Sequence, residues 1–326
     1  MVQILRTTDD HSFELDEEAL GRILLADDVK DKPVVVVSVA GAFRKGKSLL
    51  LDFFLRYMHS EGESSWMDDP SVRLGGSSWR EACERNSTGI LLWNEAFLVT
   101  RSDGQRLAVL FMYTHGAFDS TSTAADCSKL LALSIMTSSV QVYNLSQAIK
   151  ESDLQHLQLL SECGRLVEKD RTKQPFQELL FLVRDWSNLH DAGYGAEGGT
   201  CFLDRTLQML EEQNQEQEQL RRILRSCFTK IRCFLMAHPG DRVAATPSFD
   251  GPLSDIEDAF KKQLEELVPS LLAPDNLLVK KINGREISCQ ELMTYFKMYV
   301  NTVKEHKLLD PEAIREVVND FLREVA

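Results

Sequence analysis

The segment 33–58 constrains the fold of this chain more than any other. Residues 33–40 form a continuous run rich in valine, which is typical of a strand buried on both faces of a parallel sheet. A loop bounded by Gly41 and Gly46 follows, and the apolar run that starts at Ser48 predicts a helix. The segment therefore predicts the strand–loop–helix unit of an α/β domain.

The loop and the start of the helix read GAFRKGKS, which matches the pattern GxxxxGK[ST] without a mismatch. Glycines in this pattern let backbone amides surround a phosphate, and the helix N-terminus adds its dipole. Lys47 would carry a positive charge to the β- and γ-phosphates, and the Ser48 hydroxyl would bind Mg²⁺. The predicted phosphate-binding residues are Gly41, Ala42, Phe43, Arg44, Lys45, Gly46, Lys47, Ser48 and Leu49.

The rest of the chain alternates between strand-like and helix-like segments. A hairpin turning at 9–11 opens the chain, a second hairpin surrounds 283–284, and 59–89 is a long irregular loop. Further strands are predicted at 90–100, 106–113, 138–145, 176–183 and 231–236, and helices at 16–25, 123–137, 153–169, 203–224, 253–267 and 290–303. The alternation predicts an α/β fold with a mostly parallel central sheet flanked by helices.

Three residues downstream of the loop are candidates for the γ-phosphate and metal side of a nucleotide site. Thr88 follows the long loop and would bind Mg²⁺ through its hydroxyl, and Gly116 would offer an amide to the γ-phosphate. In P-loop proteins the strand at 106–113 would end in an aspartate that holds the metal. Tyr113 stands there instead, and a phenol is neutral at pH 7.

Base selection is predicted at two later strand ends. Asp185 follows the strand 176–183, where its carboxylate would accept hydrogen bonds from N1 and N2 of guanine. Arg184 would stack on the base, and His238 lies in a His-Pro-Gly turn that would close against it. Adenine lacks this pair of donors, so the pattern favours GTP and GDP.

Composition excludes several other functions. Lys and Arg total 37 against 50 Asp and Glu, a net charge of −13 that disfavours a nucleic-acid partner. No apolar stretch approaches the roughly 20 residues of a membrane span, and the N-terminus is not a secretory signal. Seven cysteines without a CxxC pair predict reduced, mostly buried thiols. These features predict a cytoplasmic chain.

The chain resembles the atlastins, dynamin-superfamily GTPases that fuse endoplasmic-reticulum membranes. The resemblance extends over about 34–300 and rests on long matching runs. These runs are VSVAGAFRKGKS at 37–48, FDS at 118–120, VQVYNLS at 140–146, DLQHLQ at 153–158, FLVRDWS at 181–187 and HPG at 238–240. The resemblance implies a P-loop GTPase domain and, for the present chain, a location at the cytosolic face of the endoplasmic reticulum without an anchor of its own.

The resemblance also implies roles for single residues. Arg44 would be an arginine finger supplied in cis, so Arg44, Lys47 and Thr88 are the expected catalytic residues. The family has Asp where Tyr113 stands and usually Gln where His115 stands. In the family, GTP brings two G domains face to face, which implies a homodimer or a heterodimer with a relative.

The resemblance further implies a division of the chain into a G domain at 1–305 and a short helical segment at 306–326. Asp310 and Pro311 begin a predicted amphipathic helix there, where the helical bundle of the family starts. The apolar stripe of that helix either packs on the domain or meets a partner helix.

Three functions remain open from the sequence. The first is a GTPase with slow turnover. The second is a catalytically silenced nucleotide-binding module, because Tyr113 replaces the metal-site aspartate; it would regulate an intact relative by dimerising with it. The third is a structural protein that binds no nucleotide.

Overall fold

The architecture was analysed on a computed structural model of the chain. It describes residues 1–8, 11–41, 46–63, 65–69, 88–115, 123–157, 174–208, 215–246, 249 and 251–304. Residues 42–45, 116–122 and 305–326, which carry Arg44, Gly116 and the predicted C-terminal helix, lie outside these ranges.

Within the described residues, nine strands form one sheet in the order β2-β1-β4-β6-β3-β7-β8-β9, with β5 also paired to β6. A separate hairpin joins β10 to β11. The strands are β1 (Val2–Thr7), β2 (Phe13–Leu15), β3 (Val34–Gly41), β4 (Gly89–Leu92), β5 (Phe97–Thr100), β6 (Arg106–His115), β7 (Val140–Ser146), β8 (Phe176–Arg184), β9 (Phe228–Leu235), β10 (Lys281–Ile282) and β11 (Arg285–Glu286).

The centre of the sheet is parallel. β6, β3, β7, β8 and β9 run in one direction, while β1, β2, β4 and β5 are antiparallel to their neighbours. The predicted α/β fold with a mostly parallel central sheet flanked by helices is therefore confirmed. Because parallel strands share a direction, their carboxyl ends meet at one edge of the sheet.

The helices cover both faces of the sheet. One apolar core includes side chains of α1, α3 and α9, and the other includes side chains of α2 and α8. The helices are α1 (Glu17–Leu24), α2 (Lys47–His59), α3 (Ala124–Thr137), α4 (Glu151–Gln155), α5 (Gly195–Leu207), α6 (Gln215–Cys227), α7 (Asp241–Ala245), α8 (Asp258–Leu272) and α9 (Cys289–Lys304). Among the described helices, none is both long enough and apolar enough to cross a bilayer.

β3 shows why a run of valines makes a central strand. Val34 and Val36 belong to one core, while Val35, Val37 and Val39 belong to the other. Successive side chains of a strand point to opposite faces, so a strand covered on both sides must be apolar at every position. All eight residues of β3 are buried accordingly.

Three predicted elements are corrected. The run 90–100 is not one strand: β4 pairs with the carboxyl half of β6 and β5 with its amino half. The helix predicted at 203–224 is interrupted, because Gln208 is extended (φ −61°, ψ 133°) and ends α5. The helix predicted at 253–267 begins only at Asp258, because the Glu257 amide donates to the Pro239 carbonyl (3.1 Å) and Glu257 itself is not helical.

The cysteines are placed largely as predicted. Of the five that the structure describes, Cys127, Cys227, Cys233 and Cys289 are buried, and Cys201 on α5 is exposed. Burial raises the pKa of Cys233 and of Cys289 to about 12, so these thiols stay protonated and unreactive at neutral pH.

Candidate nucleotide site

The described residues among those predicted to bind a nucleotide lie at the carboxyl edge of the parallel strands. Ligands of open α/β sheets bind at this edge. Gly41 at the end of β3 is paired with Asn144 of β7, and Ser146 at the end of β7 is paired with Arg184 of β8. Gly41 and Arg184, far apart in sequence, therefore lie at the same edge of the sheet.

Gly41 and Gly46 lie at the two ends of the predicted phosphate loop, and neither position has room for a Cβ atom. Gly41 has φ +144°, and a Cβ there would overlap the Asn144 carbonyl oxygen. Gly46 has φ +74° and caps α2, where its carbonyl accepts from the Leu50 amide (3.2 Å). These constraints leave room for a backbone that folds around an anion. Residues 42–45, between them, lie outside the described residues.

Lys47 points into this loop. Its side chain is only 3% exposed, and Nζ donates to the Gly41 carbonyl oxygen at 2.8 Å. Nζ also lies 5.3 Å from the centre of the Tyr113 ring. Ser48 lies half-buried in the first turn of α2, and Leu49 is buried in the core behind it. An ammonium group thus stands where a bound phosphate would need a positive charge.

Tyr113 occupies the position beside Lys47 on the neighbouring strand. It pairs with Val39 on β3 and packs in the same apolar cluster as Leu50 of α2. Its ring stacks on His115 with centroids 6.1 Å apart, and both side chains are nearly buried. An aromatic pair, rather than a carboxylate, therefore lines the metal side of the site.

Thr88 reaches the same edge from the other direction. It immediately precedes β4, whose first residue, Gly89, pairs with His115 at the end of β6. The Thr88 carbonyl accepts from the Thr7 amide at 2.7 Å, which ties this segment to β1. The predicted switch threonine is thus next to the carboxyl end of β6.

Arg184 joins the base-reading loop to the phosphate loop. Its guanidinium lies so close to Gly46 that a Cβ there would overlap it, and it lies 5.3 Å from the centre of the Phe260 ring on α8. Burial lowers the pKa of Arg184, and the neighbouring Asp185 carboxylate partly offsets that effect. The arginine still carries its charge at neutral pH.

Asp185 is held in a strained backbone position. Its φ is +56°, which is uncommon for a residue with a side chain, and the Ser146 hydroxyl donates to its carboxylate at 3.2 Å. The Trp186 amide then donates to the Met236 carbonyl at 2.9 Å. Strain of this kind persists where surrounding contacts fix it, and it is common at binding sites.

His238 lies at the outer side of the same edge. Its side chain is exposed, and its Nδ1 accepts from the Gly240 amide at 3.2 Å. The turn is fixed from α8, because the Ala237 amide donates to Oε1 of Gln263 at 2.6 Å. The Met236 amide donates to the Val183 carbonyl at 2.8 Å, so this turn adjoins the base-reading loop.

Sequence reasoning missed four supporting residues: Ser146, Asn144, Phe260 and Gln263. Asn144 lies near the end of the predicted strand 138–145 and Ser146 directly follows it, and strand ends of a parallel sheet are a signal that points to them. Phe260 and Gln263 sit on a helix among ordinary apolar and polar residues, and nothing local distinguishes them.

The residues present fit a nucleotide better than they fit Mg²⁺. Two glycine positions that a Cβ would fill, a buried ammonium and a guanidinium suit a polyphosphate and a base. For a metal the site offers the hydroxyls of Ser48 and Thr88, and Tyr113 takes the carboxylate position. Among the residues that the structure describes, no cluster of three or more His, Cys, Asp or Glu could hold a metal ion.

A GxxxxGKS sequence between a buried central strand and a helix, with an Arg-Asp pair at the end of β8, two strands away in the sheet, defines a P-loop α/β domain of the GTPase type. Residues 10–282 match the family model "Guanylate-binding protein, N-terminal domain". The chain belongs to this family.

Individual relatives agree with this assignment. The chain is 52% identical to Atlastin-2 of Homo sapiens over 311 residues, which cover 95% of the chain and 53% of that protein. It is 53% identical to Atlastin-2 of Xenopus laevis over 311 residues (95% and 54%) and 51% identical to Atlastin-1 of Bos taurus over 313 residues (96% and 56%). The resemblance to atlastins is confirmed. The chain spans about half the length of these curated relatives.

Proposed function

We propose that this chain binds GTP and hydrolyses it slowly to GDP at the carboxyl edge of its sheet. The observation that carries the proposal is the contact between Arg184 and Gly46. It joins a loop suited to a guanine base to a loop suited to its phosphates. The family match and the atlastin relatives support the same nucleotide.

Asp185 supplies base selectivity in this proposal. Its carboxylate accepts hydrogen bonds from N1 and N2 of guanine, whereas adenine offers no such pair. The bond from Ser146 and the constrained backbone hold the carboxylate in one orientation before the base arrives. The base is then enclosed by Arg184 and by the turn at His238.

Charge stabilisation supplies the catalysis. Lys47 moves from the Gly41 carbonyl to the β- and γ-phosphates, and the amides of 41–49 surround them. Arg44 acts as a finger in cis, Gly116 contacts the γ-phosphate, and Thr88 lies beside it. An arginine finger is worth about 10³–10⁵ in rate. That contribution keeps turnover measurable although Tyr113 replaces the usual carboxylate.

A catalytically silenced binding module is the second candidate, and one observation favours it. The Tyr113 ring stands beside Lys47, and a phenol cannot replace a carboxylate as a metal ligand at neutral pH. Such a chain would bind nucleotide, dimerise with an intact relative and limit the activity of that relative.

The partner and the location follow the atlastin resemblance. We expect a G-domain dimer that forms with GTP, as a homodimer or with a relative, at the cytosolic face of the endoplasmic reticulum. The proposed G domain is 1–305, with the start of a helical bundle at 306–326. Light scattering with and without a non-hydrolysable GTP analogue tests the dimer, and a mass that nucleotide leaves unchanged contradicts it.

Phosphate release from GTP under multiple turnover tests the catalytic proposal. The native chain is expected to turn over slowly, and Lys47→Ala is expected to lose turnover because the γ-phosphate loses its ammonium partner. Lys281→Ala, at an exposed lysine on β10, is the matched control. Equal rates for the native chain and Lys47→Ala would contradict the proposed site. GTP binding without turnover would support the silenced module instead.

A further inference from the structure

The side chains where Mg²⁺ would bind differ chemically from those where the phosphates would bind. The end of the strand beside the phosphate loop is where P-loop proteins place the carboxylate that holds Mg²⁺. Here that strand is β6, and Tyr113 pairs with Val39, two residues before Gly41. Its ring is 5% exposed, belongs to the same apolar cluster as Val39 and Leu50, and has its centre 5.3 Å from Nζ of Lys47.

Magnesium requires a donor set that Tyr113 does not provide. The ion demands near-octahedral oxygen ligands, gives up water reluctantly and is usually held by one or two carboxylates together with phosphates. Tyr113 offers a neutral phenol, and Ser48 and Thr88 offer neutral hydroxyls. These three described side chains therefore contribute no negative charge to a metal shell, including at the position where P-loop proteins supply a carboxylate.

The replacement of a carboxylate by Tyr113 also changes the electrostatic surroundings of Lys47. In a site with a carboxylate on the neighbouring strand, that group partly cancels the lysine charge, and Mg²⁺ restores the positive charge that the phosphates need. Here the neighbouring group is an aromatic face 5.3 Å from Nζ, which attracts the cation without neutralising it. The Gly41 carbonyl that accepts from Nζ is likewise uncharged.

We infer that the ligand of this site is a guanine nucleotide without its metal, so that Mg²⁺ does not strengthen binding. The inference rests on the proposed nucleotide function and specifies which form of the nucleotide the site takes. Lys47 supplies positive charge to the phosphates, and the Tyr113 ring, 5.3 Å from Nζ, occupies the position of the metal-site carboxylate.

Fluorescence anisotropy of ribose-labelled GDP, titrated with the full chain in millimolar MgCl₂ or in excess EDTA, tests the inference. For the native chain the two dissociation constants are expected to agree within about threefold. For Tyr113→Asp, binding is expected to be about tenfold or more tighter with Mg²⁺ than with EDTA. Tyr113→Asn has the size of the aspartate without its charge and is expected to stay independent of Mg²⁺.

Three results of this titration would overturn the inference, the role of Tyr113 or the proposed function. A native chain whose affinity rises more than threefold with Mg²⁺ overturns the inference and leaves the proposed function standing. A Tyr113→Asp variant that binds GDP but ignores Mg²⁺ overturns the role given to Tyr113. If the native chain binds labelled GDP in neither condition, both the inference and the proposed function fail. Circular dichroism melts confirm that each variant is folded.

Discussion

The guanidinium of Arg184 lies against Gly46, so closely that a single added carbon on the glycine would overlap it. This contact joins the end of β8 to the N-terminus of α2. The arginine is 6% exposed and packs against the glycine and against the Phe260 ring. The contact therefore links a residue proposed to bind the base to a residue proposed to shape the phosphate loop.

Gly46→Ala tests this contact. The new Cβ would displace Arg184 and would also strain a residue at φ +74°. We expect a loss of about 1–3 kcal/mol in the free energy of unfolding and at least about tenfold weaker GDP binding. Gly104→Ala is the matched control, because Gly104 has φ +85° but open space around its Cβ position. GDP affinity that falls equally in both variants would refute the proposed coupling.

Asp185→Asn tests base selection. An asparagine presents one acceptor and one donor, which suits xanthine, whose C2 carries a carbonyl where guanine carries an amino group. GDP binding is expected to weaken about tenfold or more while xanthosine diphosphate binding improves. Calorimetric titration of both nucleotides measures the change, with Asp204→Asn on the exposed side of α5 as control. Unchanged preference would remove Asp185 from the base site.

The buried Lys280 is expected to make the free energy of unfolding depend on pH. Its side chain is fully buried, Nζ donates to the Ser138 carbonyl at 2.8 Å, and burial lowers its pKa to about 7. In the unfolded chain the pKa is about 10.4, so between about pH 7 and pH 10 the unfolded state holds a proton that the folded state lacks. The Lys280 contribution to stability therefore rises with pH across this range and is lowest below it.

Urea unfolding from pH 7 to pH 9.5 measures this dependence. Lys280→Met is expected to flatten the slope, which for one proton approaches about 1.4 kcal/mol per pH unit. The neighbouring Lys281→Met, at a half-exposed side chain, is expected to keep the native slope. Parallel pH profiles for the native chain and Lys280→Met would show that Lys280 stays charged when folded.

The buried side-chain amide of Gln177 is expected to contribute strongly to the free energy of unfolding. Its Nε2 donates to the Val279 carbonyl at 2.7 Å, and its Oε1 accepts from the Lys281 amide at 2.8 Å. Gln177→Ala leaves two backbone groups without these partners, so we expect a loss of about 1–3 kcal/mol in the free energy of unfolding. Gln290→Ala, at an exposed side chain on α9, is the control for urea titrations. A loss no larger than the control's would mean that water replaces both bonds.

The predictable part of the fold rests on local patterns. The valine run of β3 specifies its own structure, because a strand buried on both faces tolerates few residue types. The hairpin turn at Asn283 and Gly284 is likewise predicted from a short motif that carries its own backbone geometry.

The unpredicted part depends on contacts between distant segments. Glu257 leaves the helical conformation because its amide bonds to Pro239, and the 90–100 run divides because two parts of β6 each need a partner. The same contrast between local motifs and contacts of distant segments holds for the candidate site. Its individual residues were found from motifs, whereas the packing of Arg184 on Gly46 and the stacking of Tyr113 on His115 come only from the folded sheet.

Calorimetric titration of the native chain with GDP and, separately, with ADP tests the central claim most directly. Saturable binding of one GDP per site, at least about tenfold tighter than ADP and lost in Lys47→Ala, is the result that the proposed site predicts. Equal affinity for the two nucleotides, or no GDP binding by a folded chain, would contradict it.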